Sequence, residues 1–420
     1  MYAIVDVNNF YASCERIFDP GLINKPIVVL SNNDGCVIAR SNEAKKIGID
    51  MGVPFFKVKN ICIKYNIKVF SSNYTLYGNI SKRFINILED NFPNVHQYSI
   101  DECFIDLHGF SEEQICEKCN SIIKNVQKNL SIPISIGVGK TKTIAKTASF
   151  IAKNKLNIRF LMINNNKYLN SWLKQISLID IWNIGKNYAI QLQKIGINTP
   201  YDFIKTNKVN INSILNVNLL RTHQELNGIS CINIINLDNK KSITVSRSLG
   251  IETNSIEVLK TALIEFCSIG CQKLRNQNMY ARSIGVFIKT SPFKKDLVSK
   301  ISFIKILVPT NDTREFINAG IKILESIFDK KYMYNKLGVI INDLSAHRHS
   351  QHDLFIDQKK HSNYKSEKLM QSLDSINAKM GKNIVFFGAT KISTKWKKDP
   401  INISKKYTTN WKQIPIAHCK

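Results

Sequence analysis

The residues with the clearest chemical potential are two adjacent carboxylates, Asp101 and Glu102, inside the apolar run of residues 98–106. Burying an unpaired carboxylate is costly, so an apolar strand normally excludes one or shifts its pKa. A divalent metal ion is the strongest compensation available. Successive side chains on a straight strand point to opposite faces, so both carboxylates can serve one site only at a hairpin turn or bulge. A solvent-facing hairpin tip is the alternative.

A third carboxylate, Asp6, stands near the end of an apolar N-terminal strand, residues 1–7. Joined to the Asp-Glu hairpin, this strand resembles the palm of a Y-family (translesion) DNA polymerase. In that family the first-strand Asp and the Asp-Glu pair hold two Mg²⁺ ions, which prefer oxygen ligands. The resemblance implies that Asp6, Asp101 and Glu102 are catalytic metal ligands, with the backbone of Val7 near the metals.

Further segments in the family's order narrow the resemblance to the UmuC-type branch, the catalytic subunit of DNA polymerase V. They are residues 28–40, 246–248, 289–293 and 407–411. The similarity runs over essentially the whole chain. It implies error-prone, template-directed synthesis in DNA damage tolerance and SOS mutagenesis. The implied partners are primer-template DNA, deoxynucleoside triphosphates, a UmuD′-type dimer and RecA.

The resemblance also implies roles for residues around the carboxylates. Tyr11 matches the steric gate, a ring under the deoxyribose that leaves no room for a 2′-hydroxyl; the alternative is that Phe10 and Tyr11 are both core aromatics. Lys45 and Lys153 match triphosphate-binding positions, and Arg40 could touch base or phosphate. Asn42 departs from the Tyr that many members have.

The composition favours a nucleic-acid partner. The chain has 420 residues, 44% of them hydrophobic, with a formal net charge of +27. Such an excess of Lys and Arg calls for an anionic partner or a highly solvated surface, and phosphate neutralisation drives non-specific DNA binding. Neither a spanning apolar run nor a signal peptide is visible, so a bacterial cytoplasmic location is expected and a membrane is not. The Cys-x-x-Cys spacing at Cys116 and the pair at Cys267 predict helix-packed free thiols rather than zinc ligands.

The predicted fold is α+β and multidomain, a right-hand polymerase with an antiparallel palm, small fingers, a helical thumb, an α/β little finger and a basic tail. The expected boundaries are palm 1–12 and 79–165, fingers 13–78, thumb 166–232, linker 233–241, little finger 242–350 and tail 351–420.

Two glycine turns in the predicted thumb resemble a helix-hairpin-helix, whose backbone N–H groups grip a DNA phosphate. The candidate DNA-binding residues are Gly185, Lys186 and Gly196, with Arg247 in the little finger. Asn183 replaces the first Gly of the motif, and Asn tolerates left-handed backbone. An ordinary αα-hairpin is the alternative.

Two short motifs point in other directions. The sequence of residues 134–141 resembles that of a P-loop, but Ile134 occupies a position at which the P-loop pattern requires Gly. Gln351, Leu354 and Phe355 fit a sliding-clamp-binding peptide, in which the two apolar side chains would fill a pocket.

Two other classes of function remain open at this point. One is a non-catalytic DNA- and clamp-binding protein that retains the polymerase fold, because a fold does not guarantee an activity. The other is a palm-type nucleotidyl transferase or cyclase acting on free nucleotides. The intact carboxylates argue against the first, and the positive charge argues against the second.

Overall fold

A computed structural model describes most of the chain. The described residues are 1–206, 216–234, 240–294, 297–346, 363–381, 384–387, 396–397 and 400–416. The chain divides into two compact units. The first contains Met1–Asn236 together with Ile401–Lys420, and the second contains Leu237–Pro400.

The first unit is built around a five-stranded mixed sheet in the order β5-β6-β1-β7-β8. The central strand β1 pairs antiparallel with β6 and β7, and β8 runs parallel to β7. The strands are β1 Tyr2–Val7, β5 Val95–Gln97, β6 Glu102–Asp106, β7 Ile134–Gly139 and β8 Phe160–Ile163.

The two faces of this sheet bury different partners because side chains alternate along β1. Ala3, Val5 and Val7 belong to a core shared with two long helices, Tyr74–Asn91 and Glu112–Leu130. Ile4 faces the other way, in a small cluster with Phe104 and with a helix over Lys142–Ile151. Asp6 shares the face of Ile4, so it lies on the side of the sheet that this helix covers.

A smaller sheet and several helices complete the first unit. The sheet has the order β3-β2-β4. Its strands are β2 Ile27–Leu30, β3 Val37–Arg40 and β4 Lys68–Ser71. In chain order the α-helices of this unit are α1 Phe10–Ile17, α2 Asn42–Lys46, α3 Phe55–Lys64, α4 Tyr74–Asn91, α5 Glu112–Leu130, α6 Lys142–Ile151, α7 Asn166–Leu173, α8 Lys186–Lys194, α9 Pro200–Lys205 and α10 Val217–Leu226.

The described C-terminal segment, residues 401–416, also belongs to the first unit. Ser71 at the end of β4 donates its N–H to the carbonyl oxygen of Asn402 at 2.9 Å, and a parallel bridge joins Ser71 to Ile403. The segment therefore continues the small sheet at the free edge of β4. The sequence predicts a basic tail over residues 351–420 and does not predict this contact.

The second unit is a four-stranded antiparallel sheet in the order β11-β10-β12-β9 with packed helices. The strands are β9 Ser242–Thr253, β10 Tyr280–Thr290, β11 Ser299–Thr310 and β12 Tyr334–Ser345. The helices are α11 Ile256–Arg275, α12 Thr313–Ile327 and α13 Asn363–Met380. Arg275 on α11 pairs with Asp374 at 2.6 Å, which holds α13 against this unit.

Several expectations from the sequence are met. The architecture is α+β, and the alternating segments at 284–289 and 301–307 lie in β10 and β11. The paired cysteines lie on α5 and α11 and are free thiols. Among the described residues, none of the helices has both the length and the apolar character needed to cross a bilayer.

Gly137 and Gly139 belong to β7 itself, so the segment does not form a P-loop. The strand passes to α6 through a short connection, and the side chain of Thr141 caps the helix. A Cβ atom on Gly137 would lie 2.2 Å from the carbonyl oxygen of Ala145 and 2.2 Å from the backbone nitrogen of Ser149. These glycines therefore let α6 pack directly on the backbone of the sheet.

Gly137→Ala is expected to lower the free energy of unfolding by about 1–3 kcal/mol or more, because the new methyl group meets backbone that cannot move aside. Urea denaturation followed by circular dichroism measures the change. Gly78→Ala is the matched control, since Gly78 lies in α4 with open space around its Cα. It is expected to leave the protein as stable or to add about 0.5–1 kcal/mol. Equal midpoints for the two variants would contradict the packing argument.

Candidate active site

The three predicted carboxylates meet at one end of the five-stranded sheet. Asp6 on β1 lies directly opposite Glu102 on β6 in the antiparallel register. Asp101 lies in the tight turn that precedes β6, and its carbonyl oxygen accepts the N–H of Val7 at 3.0 Å. The predicted hairpin is confirmed, and it explains how adjacent carboxylates reach one site.

Ser99 fixes the conformation of this turn. Its hydroxyl donates to the Asp101 carboxylate and accepts the N–H groups of Asp101 at 3.2 Å and Glu102 at 3.0 Å. The carbonyl oxygen of Glu102 accepts the N–H of Tyr98 at 3.0 Å, which closes the hairpin. A side chain that bonds to nearby backbone in this way stabilises a turn against continuation of the strand. The Asp101 carboxylate is therefore held in place before any ligand arrives.

Two lysines compensate the buried charge of the carboxylates. Lys153 pairs with Asp6 at 2.9 Å, and Lys146 pairs with Glu102 at 3.1 Å. Lys146 lies on α6, whereas Lys153 lies in the π-helical turn Ala152–Leu156 that follows it. Such turns often occur at functional sites.

Burial dominates the electrostatics of this cluster. It raises the pKa of Asp6 and of Glu102, while the ammonium groups of Lys153 and Lys146, respectively, act in the opposite direction. The charge of Asp101 raises both values further. Like charges that share a partly desolvated site disfavour joint ionisation, so the cluster favours added positive charge.

The donor set suits magnesium. Asp6, Asp101 and Glu102 offer only oxygen atoms, the ligands that Mg²⁺ prefers, and the backbone of Val7 is adjacent. Among the described residues, however, the arrangement contains no ready group of three metal-ligating side chains. Asp6 and Glu102 are each paired with a lysine ammonium group. Metal binding would have to displace them.

Positively charged side chains lie in the same space as the carboxylates. Lys45, on α2, is half-buried, and its pKa is lowered, first by burial and then by the positive charges of Lys153 and Arg40. Arg40 donates to the carbonyl oxygen of Ile49 and lies 3.6 Å from the exposed carboxylate of Asp50. Mutual repulsion among these cations favours an anionic ligand between them.

Tyr11 lies at the edge of the same space. Phe10 is buried in the core at 3% exposure, whereas the neighbouring ring of Tyr11 is half-buried and faces the pocket. The ring stacks on Tyr77 with centroids 4.4 Å apart and an interplanar angle of 16°. Both residues pack with the core and line the pocket, and Tyr11 is the more exposed of the two.

These groups line one open pocket of about 490 Å³ in the first unit. The predicted site residues that line it are Asp6, Val7, Tyr11, Arg40, Lys45, Asp101, Glu102 and Lys153. Segments separated by about 150 positions in the sequence thus converge on it.

Lys146 is a functional candidate that the sequence analysis missed. Its ammonium group pairs with Glu102 and lies 4.5 Å from the ring centroid of Tyr98 and 5.2 Å from that of Trp182. Trp182 donates to the Tyr98 hydroxyl at 3.1 Å, which joins the rings. The available signal was a spacing of seven residues from Lys153, which is two turns along a predicted helix.

The predicted DNA-binding residues lie outside this pocket. Gly185 precedes α8, Lys186 begins it and is exposed, and Gly196 follows it with a left-handed φ of 84°. Asn183 has a φ of 68°, which confirms the predicted left-handed backbone. Arg247 lies on β9 in the second unit. Gln351, Leu354 and Phe355 fall outside the described residues.

Family models match three parts of the chain. Residues 5–150 match the impB/mucB/samB family, and residues 240–354 match the C-terminal domain of that family. The chain belongs to the impB/mucB/samB family. Residues 367–417 match a domain of unknown function, which spans most of α13 and all of the described C-terminal segment.

Relatives cover the whole chain. It is 38% identical to Protein SamB and 36% identical to Protein UmuC, both from Salmonella typhimurium, over 99% of this chain and 99% of each relative. It is 28% identical to DNA polymerase IV of Clostridium kluyveri over 92% of this chain and 97% of that protein. The UmuC-type resemblance is confirmed.

Solved structures show the same fold at low sequence identity. A Y-family DNA polymerase chimera of Dbh and Dpo4 matches with a TM-score of 0.67 and 22% identity, over 83% of this chain and 100% of that one. An insertion ternary complex of Dbh DNA polymerase matches with a TM-score of 0.52 and 22% identity, over 81% of this chain and 98% of that one. The right-hand polymerase fold of this impB/mucB/samB family member is thereby confirmed.

Asp101→Asn is expected to weaken Mn²⁺ binding by about tenfold or more, because the site loses a charged oxygen ligand. Electron paramagnetic resonance of free Mn²⁺ measures the affinity. Asp106→Asn is the matched control, since Asp106 lies at the far end of β6, opposite Tyr2. Unchanged Mn²⁺ affinity in Asp101→Asn would contradict the metal assignment.

Proposed function

We propose that this chain is a template-directed DNA polymerase of the error-prone translesion type, which adds deoxynucleotides to a primer 3′-hydroxyl in DNA damage tolerance and SOS mutagenesis. The observation that carries the proposal is the single pocket that brings three carboxylates opposite three cationic side chains. A triphosphate bound there would place its negative charge against the cations and its reacting end towards the carboxylates.

The protein's contribution would be positioning and charge neutralisation, which dominate phosphoryl-transfer catalysis. Two Mg²⁺ ions, held by Asp6, Asp101 and Glu102, would activate the primer hydroxyl and neutralise the leaving pyrophosphate. With that counter-charge present, Lys153 becomes available to the triphosphate alongside Lys45 and Arg40. Lys146, displaced from Glu102 by the ions, would stay on α6 close to the carboxylates, where it can neutralise charge near the primer end.

Sugar selection would come from Tyr11. Its ring projects from α1 and lines the pocket, and its stacking on Tyr77 restricts its movement. A rigid ring under the deoxyribose would clash with a 2′-hydroxyl, so ribonucleotides would be rejected by shape. This mechanism needs no hydrogen bond to the sugar.

DNA and protein partners follow from charge and family. The net charge of +27 favours phosphate contacts along primer-template DNA. Gly185, Lys186 and Gly196 are the proposed phosphate contacts around α8, and Arg247 is the proposed contact in the second unit. A sliding clamp bound through Gln351, Leu354 and Phe355, a UmuD′-type dimer and a RecA filament complete the proposal, with the bacterial cytoplasm as the compartment.

Primer extension tests the activity. We expect the wild type, assayed with Mg²⁺ and deoxynucleotides in the presence and absence of a UmuD′-type dimer and RecA filament, to incorporate template-directed nucleotides. Asp101→Asn should lose about 10²-fold or more in rate, as expected when charge stabilisation of the reacting centre is removed. Asp106→Asn should retain activity.

The outcomes separate the alternatives. If the protein binds DNA but incorporates no nucleotide under any of these conditions, the polymerase proposal is wrong. The chain would then be a non-catalytic DNA- and clamp-binding protein. Turnover of free nucleotides without DNA would indicate a transferase or cyclase.

Tyr11→Ala is expected to lower the discrimination between deoxyribonucleotides and ribonucleotides by at least about tenfold, because removing the ring opens space for a 2′-hydroxyl. The measurement is the ratio of kcat/KM for dATP to that for ATP, opposite the same template base. Tyr65→Ala is the control, since Tyr65 is an exposed aromatic residue at the end of α3. An unchanged ratio in Tyr11→Ala would rule out the gate.

A further inference from the structure

The C-terminal segment contacts the helix that carries Tyr11. The hydroxyl of Ser404 donates to Glu15 Oε1 at 3.1 Å and accepts from Asn73 Nδ2 at 3.0 Å. The ring of Tyr407 stacks on Phe18, with centroids 4.6 Å apart and planes 7° from parallel. Glu15 lies on α1, and Phe18 directly follows that helix. The segment therefore holds α1 at two points.

The contact with Glu15 continues to the pocket. Glu15 is only 2% exposed, and its Oε1 atom also accepts the hydroxyl of Tyr77 at 2.6 Å. Tyr77 is fully buried on α4, and its ring is the one on which Tyr11 stacks. Ser404, Glu15, Tyr77 and Tyr11 thus form an unbroken chain of contacts from the C-terminal segment to the pocket.

The chemistry of Glu15 makes this chain stiff. Burial raises the pKa of Glu15 to about 7, and the hydrogen bonds from Tyr77 and Ser404 act in the opposite direction. A buried carboxyl group needs its hydrogen-bond partners, since leaving a buried polar group unsatisfied is expensive. The phenol of Tyr77 is therefore held at a defined position, and the stacked ring of Tyr11 has a fixed surface against which to rest.

We propose that the C-terminal segment 401–410 sets the sugar selectivity of the pocket by holding the Glu15–Tyr77–Tyr11 stack in place. Ser404, Glu15 and Tyr77 are positioning residues, and Tyr11 is the residue that meets the sugar. This inference rests on the proposed function, in which Tyr11 lies under the deoxyribose. It also assigns a role to part of a domain whose function is unknown.

The test compares full-length variants by the same ratio of kcat/KM for dATP to that for ATP. Ser404→Ala removes the donor from the segment, and Tyr77→Phe keeps the stacked ring while removing its hydroxyl. Each should lower the ratio about three- to tenfold, the equivalent of one lost hydrogen bond, through a lower KM for the ribonucleotide. Ser404→Thr keeps the hydroxyl and should restore the ratio. Trp411→Ala is the control, because Trp411 directly follows residues 401–410 and is 89% exposed.

A purely structural role would lower both values of kcat/KM together and leave the ratio unchanged. If Tyr11→Ala lowers the ratio while both Ser404→Ala and Tyr77→Phe keep the wild-type ratio, the positioning inference fails and the proposed function stands. If Tyr11→Ala also keeps the wild-type ratio, or if no variant incorporates nucleotides, the gate and the inference fail together. Hydrogen exchange at Ser71, whose amide bonds to Asn402, verifies that the segment remains docked in Ser404→Ala.

Discussion

The structure depends on the need to neutralise carboxylates that are buried at the end of a sheet. The pairing of β1 with β6 places Asp6 opposite Glu102, on the face covered by α6. Charges there cannot be left alone, because desolvation penalises them. Helix α6 and the turn after it supply Lys146 and Lys153, and the bare glycines of β7 let that helix approach closely. The fold and the electrostatics of the pocket therefore have the same origin.

The same constraint gives the pocket its two-sided character. Pairing with lysines stabilises the buried carboxylates when no metal is bound. Both ion pairs are partly exposed, so a metal ion can reach the carboxylates and displace the lysines. Arg40 and Lys45 add positive charge to the pocket and are not paired with Asp6, Asp101 or Glu102. Their charge is therefore available to an anionic ligand. Tyr11 lies on α1, which carries another buried carboxyl group, that of Glu15. This group accepts hydrogen bonds from hydroxyl groups and does not pair with a lysine.

Local elements followed from local patterns. The polar turn before Glu102, the strand alternation at 284–289 and the left-handed Asn183 are each decided within a few residues, and each was predicted. The three carboxylates of the pocket and Tyr11 could also be named, through spaced motifs that resemble a family. Lys146 was missed because no pattern distinguishes a lysine that faces a carboxylate from one that faces solvent until the helix is packed on its sheet.

The sequence by itself determined the family, the α+β class and the charged residues that line the pocket, because these depend on residue type, order and short-range geometry. Only the tertiary structure decided that Asp6 and Glu102 each pair with a lysine, and that Ser404 reaches Glu15 across nearly the full length of the chain. These contacts join residues that are 44, 147 and 389 positions apart in the sequence. Their partners are chosen by how sheets and helices pack in space, and neither periodicity nor composition carries that information.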